Sequence, residues 1–68
     1  MNEIFFIVED AIEGGYNARA LGVSIFTQAD TIEELRMNVR EAVDCFYGDD
    51  VPPKVIRLHF VREEVLAA

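Results

Sequence analysis

Residues 3–10 read EIFFIVED, and within them Ile4, Phe5, Phe6, Ile7 and Val8 form an unbroken apolar run. The run is shorter than a typical helix and consists of Ile, Phe and Val, so residues 3–9 are expected to form a strand. Successive side chains of a strand point to opposite faces. Five large apolar residues in a row therefore load both faces at once, which places the strand at the centre of a sheet and demands a cover on each side. A chain of 68 residues has little material for two covers, since a domain near this size buries only about 60% of the surface its unfolded chain exposes.

Downstream, EGGYNARALG places Gly14 and Gly15 at a turn, after which Tyr16, Ala18 and Ala20 alternate with Asn17 and Arg19. A period of two marks a second strand. Gly22 suits the left-handed conformation in a reversal that Leu21 would resist, and VSIFTQA, residues 23–29, makes a third strand antiparallel to the second.

Ile32, Leu35, Val39, Ala42, Val43 and Phe46 then fall on one helical stripe. Both Asp30 with Glu33 and Thr31 with Glu34 fit a capping box, and their acidity suits the positive end of the helix dipole. Gly48 terminates the helix, and Pro52 and Pro53 forbid its continuation. In KVIRLHFVR, residues 54–62, Ile56, Leu58 and Phe60 form an apolar face opposite a mixed face of Val55, Arg57, His59 and Val61, the pattern of a half-buried strand. EEVLAA is compatible with a short helical turn or a frayed segment.

The order is strand, strand, strand, helix, strand: an α+β fold of β-β-β-α-β type, a two-layer sandwich in one domain, residues 1–68. A crossover returns the last strand parallel to the first, and the central character of the first gives the order 3-2-1-4. One helix covers one face. If Ile4, Phe6 and Val8 meet it with Ile56, Leu58 and Phe60, then Phe5 and Ile7 lie on the other face beside Arg57 and His59; the opposite phase exchanges the sets. Two large side chains left in water forgo a few kcal/mol at about 25 cal/mol per Å², a large share of a small domain's stability. Phe5, Ile7, Arg57 and His59 are thus the candidate interface for a second subunit or another partner. The competing arrangement has Arg and Lys stems or residues 63–68 folding over them.

Thirteen acidic residues against six basic ones give a net charge of −7, which repels nucleic-acid phosphates and attracts a basic protein surface. With 51% hydrophobic residues the chain is too apolar for disorder. It holds no apolar run near the roughly 18 residues of a membrane span, nor a basic segment followed by a long apolar one. The expected location is cytoplasmic. Cys45 is read as a small half-buried thiol, and Met37, Phe46 and Tyr47 as core or helix-end packing.

No catalytic constellation emerges. His59 is the sole histidine and has neither Ser, Cys nor a second His at a fixed spacing. Glu9, Asp10 and Glu13 around one turn, and Asp49 and Asp50 in the proline loop, match no calcium-loop spacing and read as a solvated rim. EGGY lacks the phosphate-loop pattern. The expectation is a non-enzyme with no cofactor and no bound metal.

The succession FFIVEDAIEGGYNARA, then FTQADTIEELRMNVREAVDCF, resembles the HicB-like antitoxin family, in which an apolar first strand, an acidic turn, a G-G-Y strand and a D-T-x-E-E helix start recur in this order. The resemblance covers roughly residues 4 to 47. It implies a partial ribonuclease H-like sheet of three antiparallel strands, a helix and a fourth strand. It also implies an antitoxin that binds and neutralises a small basic HicA-like RNA-cleaving toxin. ALGVSIF departs from the family by lacking a proline and a cysteine in that turn, and no DNA-binding segment follows the last strand, so direct operator binding is not expected. The alternative function is an oligomeric interaction module of the same fold without a toxin. Either way the protein is expected to be a homo-oligomer, a dimer or larger.

Overall fold

The computed structural model describes residues 2–68. It contains four strands, β1 (Glu3–Asp10), β2 (Tyr16–Ala20), β3 (Phe26–Ala29) and β4 (Val55–Phe60), with one helix, α1 (Ile32–Tyr47), between the last two. The strands form one sheet in the order β3-β2-β1-β4. β1 runs antiparallel to β2 and parallel to β4. The expected α+β fold and strand order are those observed.

The alternation in β1 resolves the phase. Ile4, Phe6 and Val8 are buried, whereas Phe5 stays 43% exposed. Pairing carries each face across the sheet: Phe6 lies opposite Ala20 and Leu58, and Val8 opposite Ala18 and Phe60. Against this face sit Leu35, Val39 and Val43 of α1, which complete the core together with Ile25 and Ala29.

α1 begins where Thr31 accepts a hydrogen bond from the Glu34 backbone N–H at 3.1 Å, so Thr31 rather than Asp30 is the cap. It ends at Gly48, with φ of 55°, whose N–H donates to the Asp44 carbonyl. The helix sits closest to β3 and β2. Two causes hold it there: only two residues join it to β3, and Asn38 Nδ2 donates to the Gln28 carbonyl at 3.0 Å.

Several expectations need correction. β3 begins at Phe26 rather than Val23. After the bend at Gly22, Ile25 N donates to the Val23 carbonyl, a local turn that keeps residues 23–25 out of the regular strand, although the Ile25 carbonyl still accepts from Ala20 N and its side chain is buried. β4 stops at Phe60, and residues 61–68 form no regular element. Among the stripe residues Phe46 is exposed, stacked edge-on against half-buried Tyr47 at 5.2 Å between ring centroids. Met37 is 60% exposed and Cys45 is exposed too, because neither position lies on the turns that face the sheet.

Gly15 makes the tightest backbone approach. A Cβ there would meet the Ala29 carbonyl oxygen at 2.5 Å, and its φ is +79°. Gly15→Ala is accordingly expected to destabilise the fold by about 1–3 kcal/mol, from left-handed strain and the displaced β3 end, read as a lower midpoint in urea. Leu35→Ala should cost about 2–5 kcal/mol, while Met37→Ala should stay within about 0.5 kcal/mol of zero. Equal losses at Leu35 and Met37 in thermal melts would mean the helix is rotated from the position described.

Candidate functional site: the open sheet face

The face of the sheet turned away from α1 has no cover among the described residues. Register assembles it in rows. Phe26 of β3, Arg19 of β2, Ile7 of β1 and His59 of β4 lie side by side across all four strands. Below them Phe5 lies opposite Arg57, and Glu3 opposite Val55. Above them Glu9 lies opposite Asn17, which meets Gln28. The four residues singled out by sequence therefore form one contiguous block: Phe5 and Ile7 on β1, Arg57 and His59 directly beside them on β4.

Two ion pairs brace this surface. Arg57 donates through Nε and Nη2 to Glu3 Oε1 at 3.0 and 2.7 Å. The Glu3 hydrogen bond, then its charge, raises the arginine's affinity for its proton. Arg19 approaches Glu9 at 3.8 Å. Both pairs are exposed, so each contributes little to stability. Their effect is positional: they hold the two arginines over the sheet and leave Glu3, Glu9, Arg19 and Arg57 summing to zero charge.

Three neighbours enlarge the apolar part. Phe26 is 62% exposed, and Leu21 and Val55 are exposed as well. Sequence reasoning missed Phe26 as a surface residue because it treated residues 23–29 as one strand without separating its faces. Counting by twos from Ala29 would have placed Thr27 and Ile25 inward and Phe26 outward.

His59 lies beside Ile7 and two residues from an arginine already held by a carboxylate, a setting that places no nucleophile next to it in the sheet. Among the described residues no group of three or more His, Cys, Asp or Glu side chains is placed to hold a metal ion. A shallow concavity of about 670 Å³ lies at the β1–β2 turn, bordered by Glu13, Asp30 and Glu34. It adds acidity to the rim of the sheet. No helix among the described residues is long and apolar enough to cross a membrane.

Arg57→Ala is expected to leave the stability of the fold nearly unchanged, because an exposed ion pair is all the fold loses. Chemical denaturation checks this; a clearly lowered urea midpoint would make Arg57 a structural residue.

No family model matches the chain, and no solved structure matches it. Two relatives do. A UPF0150 protein of Archaeoglobus fulgidus is 48% identical over 52 residues, covering 76% of this chain and 77% of that protein. A UPF0150 protein of Thermotoga maritima is 40% identical over 65 residues, covering 96% of this chain and 91% of that protein. With identity this high across most of both relatives, the chain belongs to the UPF0150 protein family.

Proposed function

We propose that this protein is a HicB-like antitoxin-type binding protein, which holds and neutralises a small basic RNA-cleaving toxin on the open sheet face. The observation that carries the reading is that face itself: Phe5, Phe26, Leu21 and Val55 exposed around a half-buried Ile7, on a surface whose own charges cancel. Apolar groups held rigidly by a sheet supply contact area at low entropic cost. The acidic groups Glu13, Asp30 and Glu34 border the end of this sheet at the β1–β2 turn, next to Asn17 and Gln28 of the open face. An acidic rim draws a basic partner in and raises its association rate without burying unpaired charge.

The resemblance of residues 4–47 to the HicB-like family supports the same reading, as does the β-β-β-α-β order. The role asked of the protein is non-enzymatic and takes place without contact to nucleic acid. It requires no cofactor, and the cytoplasm is the compartment in which it would act.

The test is co-expression with the product of an adjacent gene for a small basic protein. A complex should form, growth arrest by that protein should be relieved, and its ribonuclease activity should be suppressed. Phe5→Asp should weaken the complex about tenfold or more, measured by calorimetry, with an unchanged circular dichroism spectrum. Failure to bind any such protein or relieve its toxicity would leave the alternative, an interaction module that keeps this fold without a toxin.

A further inference from the structure

The sheet ends at β4, whose outer edge meets no other strand among the described residues. Val55 N donates to the Asn2 carbonyl and Val61 N to the Val8 carbonyl. Odd-numbered residues of β4 thus turn their backbone groups toward β1, and the even-numbered ones, Ile56, Leu58 and Phe60, turn theirs outward to the free edge. Above this edge, between β4 and α1, runs a groove of about 200 Å³ lined by Arg36, Val39, Arg40, Ile56 and Leu58. Its floor is apolar and its wall carries two cations.

Residues 61–68 carry the complementary pattern. They continue outward from β4 with Val65 and Leu66 85% and 78% exposed, preceded by Glu63 and Glu64. The chain's radius of gyration is 13.3 Å and its longest extent 51 Å, where a compact domain of this size would have a radius of about 11 Å. The segment projects. Folding back into its own groove would need a tight reversal after Phe60, and residues 59–68 contain no Gly, Pro, Asn or Asp to make one.

We propose that β4 and residues 61–66 pair antiparallel with the same stretch of a second copy, joining two sheets edge to edge and seating the Glu64 and Leu66 side chains of each copy in the other's groove between α1 and β4. This self-association does not rest on the toxin reading.

Charge and parity select the register. Outward-facing even residues must pair with even residues. With the two-fold axis at Val61, Leu66 of one copy meets Ile56 of the other, Glu64 lies against Leu58 beneath Arg36 and Arg40, and on the opposite face Glu63 meets His59. Sliding one way sets Arg62 opposite Arg62 of the second copy. Sliding the other way puts Arg62 against Leu58 beside Arg36 and Arg40. Both shifts juxtapose like charges, which is unfavourable across strands.

At the axis Val61 faces itself in a non-hydrogen-bonded pair, where Cα atoms lie about 4.5 Å apart, within disulfide range. Val61→Cys in a Cys45→Ser background should therefore give a covalent dimer on mild oxidation, seen on a non-reducing gel, whereas Val55→Cys should not. Sedimentation should find a dimer at micromolar concentration. Glu64→Pro, which deletes an outward N–H in an exposed segment, should weaken that dimer at least about tenfold with no change in circular dichroism. Glu64→Arg should weaken it likewise, and adding Arg36→Glu with Arg40→Glu should restore it. A strict monomer would overturn the proposal. So would a dimer that resists Glu64→Pro and in which the Val61→Cys variant fails to cross-link, since the second copy would then occupy the open sheet face. Loss of toxin binding with the dimer intact would count against the proposed function alone.

Discussion

Everything in this structure follows from a strand that is apolar on both sides and, among the described residues, has one helix to cover it. Phe6 and Val8 are fully buried because α1 closes over them with Leu35 and Val39, and the core is essentially one layer of side chains between helix and sheet. The same strand cannot offer Phe5 and Ile7 a second helix. Exposed hydrophobic area of this kind is worth about 25 cal/mol per Å² to whatever covers it, so the fold leaves a sizeable part of its available stabilisation unrealised until something binds.

The position of the helix creates a second unfinished surface. Since two residues connect β3 to α1 while residues 48–54 connect α1 to β4, the helix is tied closely to one side of the sheet and loosely to the other. It covers β2 and β3, and the Asn38 bond to Gln28 anchors it there. Ile56 and Leu58 are left half-buried at the far side, with Arg36 and Arg40 overhanging them. A groove at the edge strand is thus the geometric consequence of unequal linkers.

Much of this was legible in sequence because the signals were local. The 3.6-residue stripe, Thr31 and Gly48 bounded α1, and the apolar run placed β1 at the centre. What was not legible depended on tertiary placement. Phe46 shares the stripe's angle yet is exposed, since periodicity says which way a residue points and not whether anything lies there. Likewise VSI, residues 23–25, reads as strand by composition, but the Ile25 to Val23 turn keeps it out of β3. The candidate interface was legible as four residues on two strands, and its contiguity came from a parallel register that no local pattern encodes.

The two unfinished surfaces differ in what they can hold. The open face is apolar and charge-balanced, so a partner seated there would be selected by shape and by the acidic groups at its β1–β2 end. The β4 edge presents backbone donors and acceptors at a fixed spacing, and only another extended segment can satisfy them. An edge left bare would pair with any strand it met. A neighbouring segment carrying Glu63 and Glu64 narrows that choice, because those carboxylates are repelled by most of an acidic protein's surface, while Glu64 is attracted to the groove where Arg36 and Arg40 stand over an apolar floor. Edge pairing of this kind would also leave both open faces free and side by side on one continuous sheet, so that self-association and partner binding draw on different atoms of the same four strands.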